Sequence, residues 1–443
     1  MRDLRGSSGK AIQRSNDGTL RPPIEGPLAT AAAGAPPSTR SMSQDHGNAA
    51  LTPRRRRTRR FVRLHDALFL LLCSAGAAHA QLLPDLEFEL SHPGARSLGV
   101  GGAFAALADD ATAAYANPAG LVQLTRTEIS LEGRYWNRPD DFLFGDLGTF
   151  GSLVYPRGRW TFALYSHRLA TFESFSHTSG VFRIAGAPYD TRDNVDLRIA
   201  TWSAAAGYRL TEQLSFGLAL VQADAHVDGN REVFLQGAQP PGIFVPIPPQ
   251  RLLATGKLAI DDRDLTLSAG MLWSPSEGFS AGAFVRRGAR FEGRGSFTER
   301  PHPGGPASTR ETSVTFAMPD VLGAGGACRL AGGRVTLAAE IDRVGYDGLV
   351  RAATGSSLDG LSRQYRNSWE YRLGVEYALL AWRPVVALRA GGWMETASNQ
   401  RRLQQATHLA FGIGIAGEHV QVDLAADLTA TTDTGSLSLI YSF

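Results

Sequence analysis

Between residues 126 and 443 stretch after stretch places apolar side chains at every second position, and no apolar run there is long enough to cross a bilayer as a helix. A helical span needs roughly 20 apolar residues, whereas a barrel strand needs about 9–11 and hides its hydrophobicity in alternation. Trp369, Tyr371, Leu373, Val375, Tyr377 and Leu379 alternate with Glu370, Arg372, Gly374 and Glu376. Val335, Leu337, Ala339 and Ile341 alternate with Thr336, Ala338, Glu340 and Asp342, and Glu128–Trp136 and Val420–Leu428 repeat the pattern. A soluble β-sandwich alternates in the same way with its apolar face inward, so periodicity alone leaves two fold classes open.

Connection lengths separate them. Fourteen strands are expected, at about 127–136, 148–155, 160–168, 193–209, 214–227, 252–273, 279–291, 311–330, 334–344, 366–379, 384–394, 406–416, 419–428 and 435–443. Short connections (Pro156–Arg159, Thr211–Gln213, Ser274–Gly278, Ala331–Gly333, Ala381–Arg383, Gly417–Glu418) alternate strictly with long ones at about 137–147, 169–192, 228–251, 292–310, 345–365 and 395–405. An even strand number, short turns at one end and long loops at the other are the habit of outer-membrane barrels. Trp136, Tyr155, Trp160, Trp273, Tyr377, Trp382, Trp393 and Tyr441 fall near strand ends, where interfacial girdles lie. The expected fold is an all-β transmembrane barrel of about 14 antiparallel strands over residues 126–443. Its last strand ends in Phe443, the terminal residue type that barrel assembly machinery reads, so that machinery is an expected partner.

The N-terminal part is organised differently. Residues 1–50 are rich in Gly, Ala, Ser and Pro without helix or strand period, and read either as disordered or as a start codon placed too early, with Met42 the alternative start. Within 51–80 a basic block (Arg54 to Arg57, Arg59, Arg60, Arg63) precedes the apolar run Ala67–Ala78 and the site Ala78-His79-Ala80. That is the order of a secretory signal peptide, with cleavage expected after Ala80. Residues 1–80 carry 13 of the 45 Lys+Arg and 5 of the 42 Asp+Glu, leaving 32 and 37, so the rest of the chain is net about −5. The basic character lies in the segment to be removed, and no nucleic-acid partner is expected. Of the two cysteines, Cys73 lies in the signal peptide, which leaves Cys328 alone and rules out an intrachain disulfide or a cysteine metal cluster in the mature chain.

Residues 81–125 do not alternate. Gly94–Gly102 reads as a turn region, Asp109 or Asp110 can cap a short helix, and Asn117-Pro118 would end it. A compact, partly helical block ahead of a barrel is expected to form a plug inside it. Gly94-Ala95-Arg96-Ser97-Leu98-Gly99, Gly102-Ala103-Phe104, Ala108-Asp109-Asp110-Ala111 and Asn117-Pro118-Ala119-Gly120-Leu121 closely resemble the N-terminal hatch of the long-chain fatty acid (FadL-like) and toluene outer-membrane transporters. Met318-Pro319-Asp320-Val321-Leu322-Gly323, followed by Ala338–Val344, resembles that family's mid-barrel signature. The hatch motif is shared with scaffold barrels resembling the type IX secretion shuttle protein. The resemblance implies passive transport of a fatty acid or hydrocarbon: capture by external loops, passage into the barrel, and lateral exit through a wall break near Trp160–Arg168. It places Asn117, Pro118, Ala119 and Gly120 in the gating turn of the hatch.

Three groups of residues are candidate ligand contacts. The loop 228–251 holds the apolar run Pro240–Pro249 with Phe244, Val245 and Ile247, and Phe172, Phe175 and Phe182 fall in the preceding long connection. Exposed apolar surface of this kind tends to mark binding, although two such loops can also simply pack together as a lid. Arg134 and Arg372 are inward-facing and either join structural ion pairs or meet a ligand carboxylate. Ser166 and His167 are adjacent and so point to opposite faces, which excludes a catalytic pair within one strand. The ten histidines form no metal-binding spacing, and Asp109-Asp110 and Asp261-Asp262 fit capping and strand positions better than a cation site. No enzyme, metal or cofactor is expected. The expected partners are a hydrophobic small molecule and outer-membrane lipid, with the chain a monomer. A non-transporting scaffold barrel and an open porin remain as alternatives.

Overall fold

The computed structural model describes residues 90–138, 141–184, 187–235, 251–346, 350–352, 366–396, 406–429 and 433–443. Seventeen strand segments form one closed antiparallel sheet. They are β1 (Glu128–Arg138), β2 (Asp141–Arg157), β3 (Trp160–Ile184), β4 (Ala187–Arg209), β5 (Leu214–Leu235), β6 (Leu252–Ser276), β7 (Phe279–Arg286), β8 (Arg290–Glu299) and β9 (Ser308–Ala317). Then follow β10 (Asp320–Leu330), β11 (Val335–Gly345), β12 (Val350–Ala352), β13 (Ser368–Leu379), β14 (Val385–Glu395), β15 (Ala406–Ala416), β16 (Val420–Leu428) and β17 (Asp433–Ser442). The segments β7 and β8, β9 and β10, and β11 and β12 continue one another, which gives a barrel of fourteen strands. It closes where β1 pairs with β17, from Glu128↔Ser442 to Asn137↔Asp433.

The two faces settle the choice between barrel and sandwich. On β13 the apolar positions point out and the charged ones in: Leu373 is 66% exposed and Arg372 only 4%. The same holds for Leu131 against Glu132, Leu424 against Asp423 and Leu439 against Ser438. A soluble sandwich would bury the leucines, whereas a membrane barrel turns them to lipid.

Several expected loops are strand. Residues 169–192 pair as a hairpin, Ala170↔Ile199 through Ile184↔Ala187, so Phe172, Phe175 and Phe182 sit on β3 rather than in a loop. Residues 137–147 belong largely to β1 and β2, β5 continues to Leu235, and β8 and β9 take up much of 292–310. Alternation finds strands whose outer face meets lipid. These extensions lie beyond the lipid, so apolar outward positions no longer mark them, although their Thr, Val and Phe favour extended chain.

Residues 90–124 lie against the inward face of the wall. They contain α1 (Ala95–Gly99), α2 (Ala113–Ala116) and a 3₁₀ turn, Pro118–Gln123. Thr112, not an aspartate, is the residue ahead of α2; Asp110 instead accepts the Thr112 N–H at 2.9 Å and its hydroxyl at 2.5 Å.

Candidate functional site

The inward face divides into two sectors. On β11, β13, β14, β16 and β1 it carries buried charged side chains, and the N-terminal segment is tied to them. Glu340 accepts the backbone N–H groups of Phe104 (2.8 Å) and Ala105 (2.6 Å) with one oxygen and contacts His92 Nε2 (2.6 Å) with the other. Arg286, which can only donate, approaches His92 Nδ1 at 3.3 Å. His92 is therefore neutral, with its proton on Nε2 donated to Glu340. Burial, then the neighbouring Arg286, holds its pKa well below the usual histidine value. Arg389 joins Asp423 and Glu376, both at 2.7 Å, and Glu376 in turn accepts from Arg96 at 3.0 Å.

The second sector, on β3–β6, β8 and β9, is apolar. Leu169, Leu197, Ile199, Val221, Ala223, Ala225, Val227, Ile260, Phe291, Val314 and Phe316 are all buried on the inward side and form one cluster with Phe104, Leu107 and Leu121 of the N-terminal segment. The sequence carried a signal for this sector. On β5 the outward residues Phe216, Leu218 and Leu220 give way to Gln222, His226 and Asp228, while the inward residues become Val221, Ala223, Ala225 and Val227. The pattern inverts where the strand leaves lipid, and the apolar face is then the inner one.

Asn117 is fully buried between these sectors' strands and the segment itself. Its amide donates to Ala105 O (2.8 Å) and to Met271 O on β6 (3.1 Å), and its Oδ1 accepts from Ala119 N–H (3.2 Å). Pro118 and Ala119 press so closely on β5 that a Cβ at Gly217 would lie 2.1 Å from the Pro118 carbonyl carbon. Only glycine permits that approach. Gly120 is likewise closed in, since a Cβ there would lie 2.2 Å from Ala108 O.

The other candidate residues fare differently. Arg134 is bonded to Glu132 (2.8 Å), Ser91 Oγ (2.9 Å) and His92 O (2.8 Å). Arg372 is bonded to Asp342 (3.0 Å) and to Glu370, with its guanidinium over the Trp393 ring. Phe175 is exposed on the outward face of β3, away from the lumen. Phe244, Val245 and Ile247 lie outside the described residues, and the Phe172 and Phe182 side chains are not described. The β2–β3 ladder runs from Arg157↔Trp160 to Phe150↔His167. Beyond it β3 continues with a bulge at Arg168/Ala170, paired to β4.

Residues 187–406 match the model of the outer membrane protein transport family OMPP1/FadL/TodX. No curated protein sequence matches the chain. Among solved structures the chain is similar to a Pseudomonas aeruginosa FadL homologue (TM-score 0.59, 14% identity, covering 80% of this chain and 99% of that one). It is also similar to the Ralstonia pickettii toluene transporter TbuX (0.58, 15%, 80% and 99%) and to the CymD monoaromatic hydrocarbon channel (0.57, 18%, 81% and 99%). At these identities the likeness establishes the fold, while the family match carries the assignment to transport rather than catalysis. Together they make the chain a FadL-like barrel of the OMPP1/FadL/TodX outer-membrane transport family.

Proposed function

We propose that the chain lets small hydrophobic molecules, fatty acids or aromatic hydrocarbons, cross the outer membrane passively along the apolar sector. The observation that carries this reading is the inversion on β4 and β5: inward Leu197, Ile199, Ala223 and Val227 are apolar where the outward face has turned polar. A water-filled porin has no use for such a lining. The N-terminal segment from 81 to 125 acts as the hatch, with Asn117, Pro118, Ala119 and Gly120 as its movable turn. The lateral exit lies beside β3, where the β2–β3 ladder ends at His167. Arg134 and Arg372 serve as anchors of the charged sector, and Phe244, Val245 and Ile247 contribute to capture. CymD is a monoaromatic hydrocarbon channel and TbuX a toluene transporter, which accords with an apolar route. The protein is exported by cleavage after Ala80, assembled through Phe443, and works as a monomer.

Uptake of radiolabelled toluene and of pyrene-dodecanoate by cells expressing the chain tests the reading. Either compound should enter faster than in cells without it, and Ile199→Asn should cut that gain about tenfold. Equal uptake with and without the protein would refute it.

A further inference from the structure

The outward face of β4, β5 and β6 carries a groove just above the apolar band, and transport through the lumen makes no use of it. Below the groove the outward rows of the ladder are apolar: Tyr208–Phe216–Met271, Ala206–Leu218–Ala269 and Ala204–Leu220–Leu267 lie side by side across the three strands. The next row, Trp202–Gln222–Leu265, is mixed, and Trp202 is 66% exposed. Two polar rows follow, Ala200–Asp224–Arg263 and Arg198–His226–Asp261. Ala200 is the small residue between Arg198 and Trp202. The groove opens around it, lined by Arg198, Trp202, Gln222, Asp224, His226 and Arg263.

Its chemistry suits neither a bare anion nor a bare acyl chain. Arg263 Nε meets Asp224 Oδ1 at 2.7 Å, and Arg198 Nη2 donates to Asp196 Oδ2 at 2.9 Å. Each pair occupies one nitrogen of an exposed guanidinium, so both arginines keep N–H donors for a phosphate. Asp224 and Asp261 stand beside them, while Asp262 is committed to the Glu292 N–H at 2.7 Å. Carboxylates repel a lone phosphate but accept the hydroxyl and amide donors of an amino sugar. The open indole of Trp202, apolar on its face and polar at its N–H, suits the C–H face of such a ring where water meets lipid.

Position narrows the ligand further. The groove lies at the end of the strands that bears the long hairpins, which is the external end of such a barrel. A molecule seated there and on the rows below needs acyl chains under a phosphorylated sugar. Among the described residues the opposite wall has no counterpart: at the same ends of β14, β15 and β16 the exposed residues are Met394, Leu409 and Leu428. We propose that the groove binds the head of a lipopolysaccharide molecule of the outer leaflet. Arg198 and Arg263 take a phosphate of its lipid A, Trp202 and Asp224 take the glucosamine ring, and the acyl chains run down over Leu220, Leu218 and Leu267. The site is on the outside of the barrel and holds whatever passes through the lumen.

Native mass spectrometry of the detergent-purified protein, washed free of lipid, tests this with lipid A, dephosphorylated lipid A, phosphatidylethanolamine and inorganic phosphate as probes. Lipid A should be retained more tightly than the dephosphorylated form or phosphatidylethanolamine, and inorganic phosphate should not displace it. Arg198→Ser with Arg263→Ser should weaken retention about tenfold, and Trp202→Ala several-fold, with folding verified by heat-modifiable gel mobility. Equal retention by the folded double variant and the parent overturns the proposal, as does phosphatidylethanolamine held as tightly as lipid A. Displacement by inorganic phosphate would mark an anion site only and overturn it too. A second readout needs no variant: lipid A with a diazirine in an acyl chain should label Leu220 and Leu267 of the parent protein well ahead of Leu409 and Leu424. Even labelling around the barrel overturns the site.

Discussion

On β13 the inward positions include Glu370, Arg372 and Glu376; on β5 they include Val221, Ala223, Ala225 and Val227. Both strands alternate, and both belong to one closed sheet. The charged strand spends its inward side chains on partners, since Arg372 meets Asp342 and Glu370, and Glu376 meets Arg389 and Arg96. The apolar strand offers dispersion and hydrophobic contact from Val221 to Val227, and lower down Ser215 Oγ donates to Ala119 O at 3.0 Å. Holding a segment in register takes directed bonds, whereas passing an apolar molecule takes a surface that binds without direction. The charges that hold the segment lie on one wall and the continuous apolar lining on another, with Asn117 and Ser215 tying the segment at the foot of the second.

Substitutions on each wall should therefore fail differently. The largest effect is expected at Glu340, which answers three groups of the N-terminal segment while itself 5% exposed. Leaving a buried donor unanswered costs about 1–3 kcal/mol for each group, and three groups lose their acceptor here. Glu340→Ala should release residues 90–124 to hydrogen exchange and raise conductance in planar bilayers; full retained protection would count against the anchoring role. On the apolar wall, Ile199→Asn leaves an unmatched amide worth about 1–3 kcal/mol, so uptake of a hydrophobic probe should drop about tenfold. Exchange of residues 90–124 should stay as it was. If the two variants share one phenotype, the division of labour is wrong.

Asn117→Ala removes two donated bonds and one accepted one, at a cost of about 1–3 kcal/mol. Channel openings should become more frequent while the barrel still migrates as a folded species on gels. The smallest effect is a pH dependence. His92 stays neutral in the folded state, its pKa depressed by burial and then by Arg286, whereas in an unfolded chain it titrates near about 6.5. Below that pH the unfolded state binds a proton that the folded state refuses, so stability falls on acidification by at most about 1.4 kcal/mol per unit. Above it His92 contributes no slope. Exchange of the N-terminal segment measured from pH 7 to 5 should show this loss, and His92→Gln should flatten it.

Much of the lipid-facing barrel was legible because lipid imposes one rule on every strand, as on Trp369–Leu379. The extensions of β3 to β6 were not, since the rule inverts once water replaces lipid outside. Asn117-Pro118-Ala119-Gly120 could be picked out in the sequence as a turn, yet its seat against β5 and β6 could not. Nothing in the sequence singles out Gly217 and Gly270, against which Pro118 and Asn117 pack. Arg134 and Arg372 were legible as inward and ionic. Their partners were only half so: Glu132 and Glu370 are two residues away, but Arg134 also reaches back to Ser91 and His92, and Arg372 crosses to Asp342 on the next strand. Contacts at such sequence separations leave no local pattern.

The central claim is that a hydrophobic molecule occupies the apolar sector. Mass spectrometry of the detergent-purified protein for co-purifying small molecules tests it most directly, with Ile199→Asn and Arg134→Gln prepared in parallel. A defined fatty acid or hydrocarbon should accompany the parent protein and Arg134→Gln and be lost from Ile199→Asn. A protein without any such molecule, purified instead with a stoichiometric protein partner, would contradict the account and mark the barrel as a scaffold.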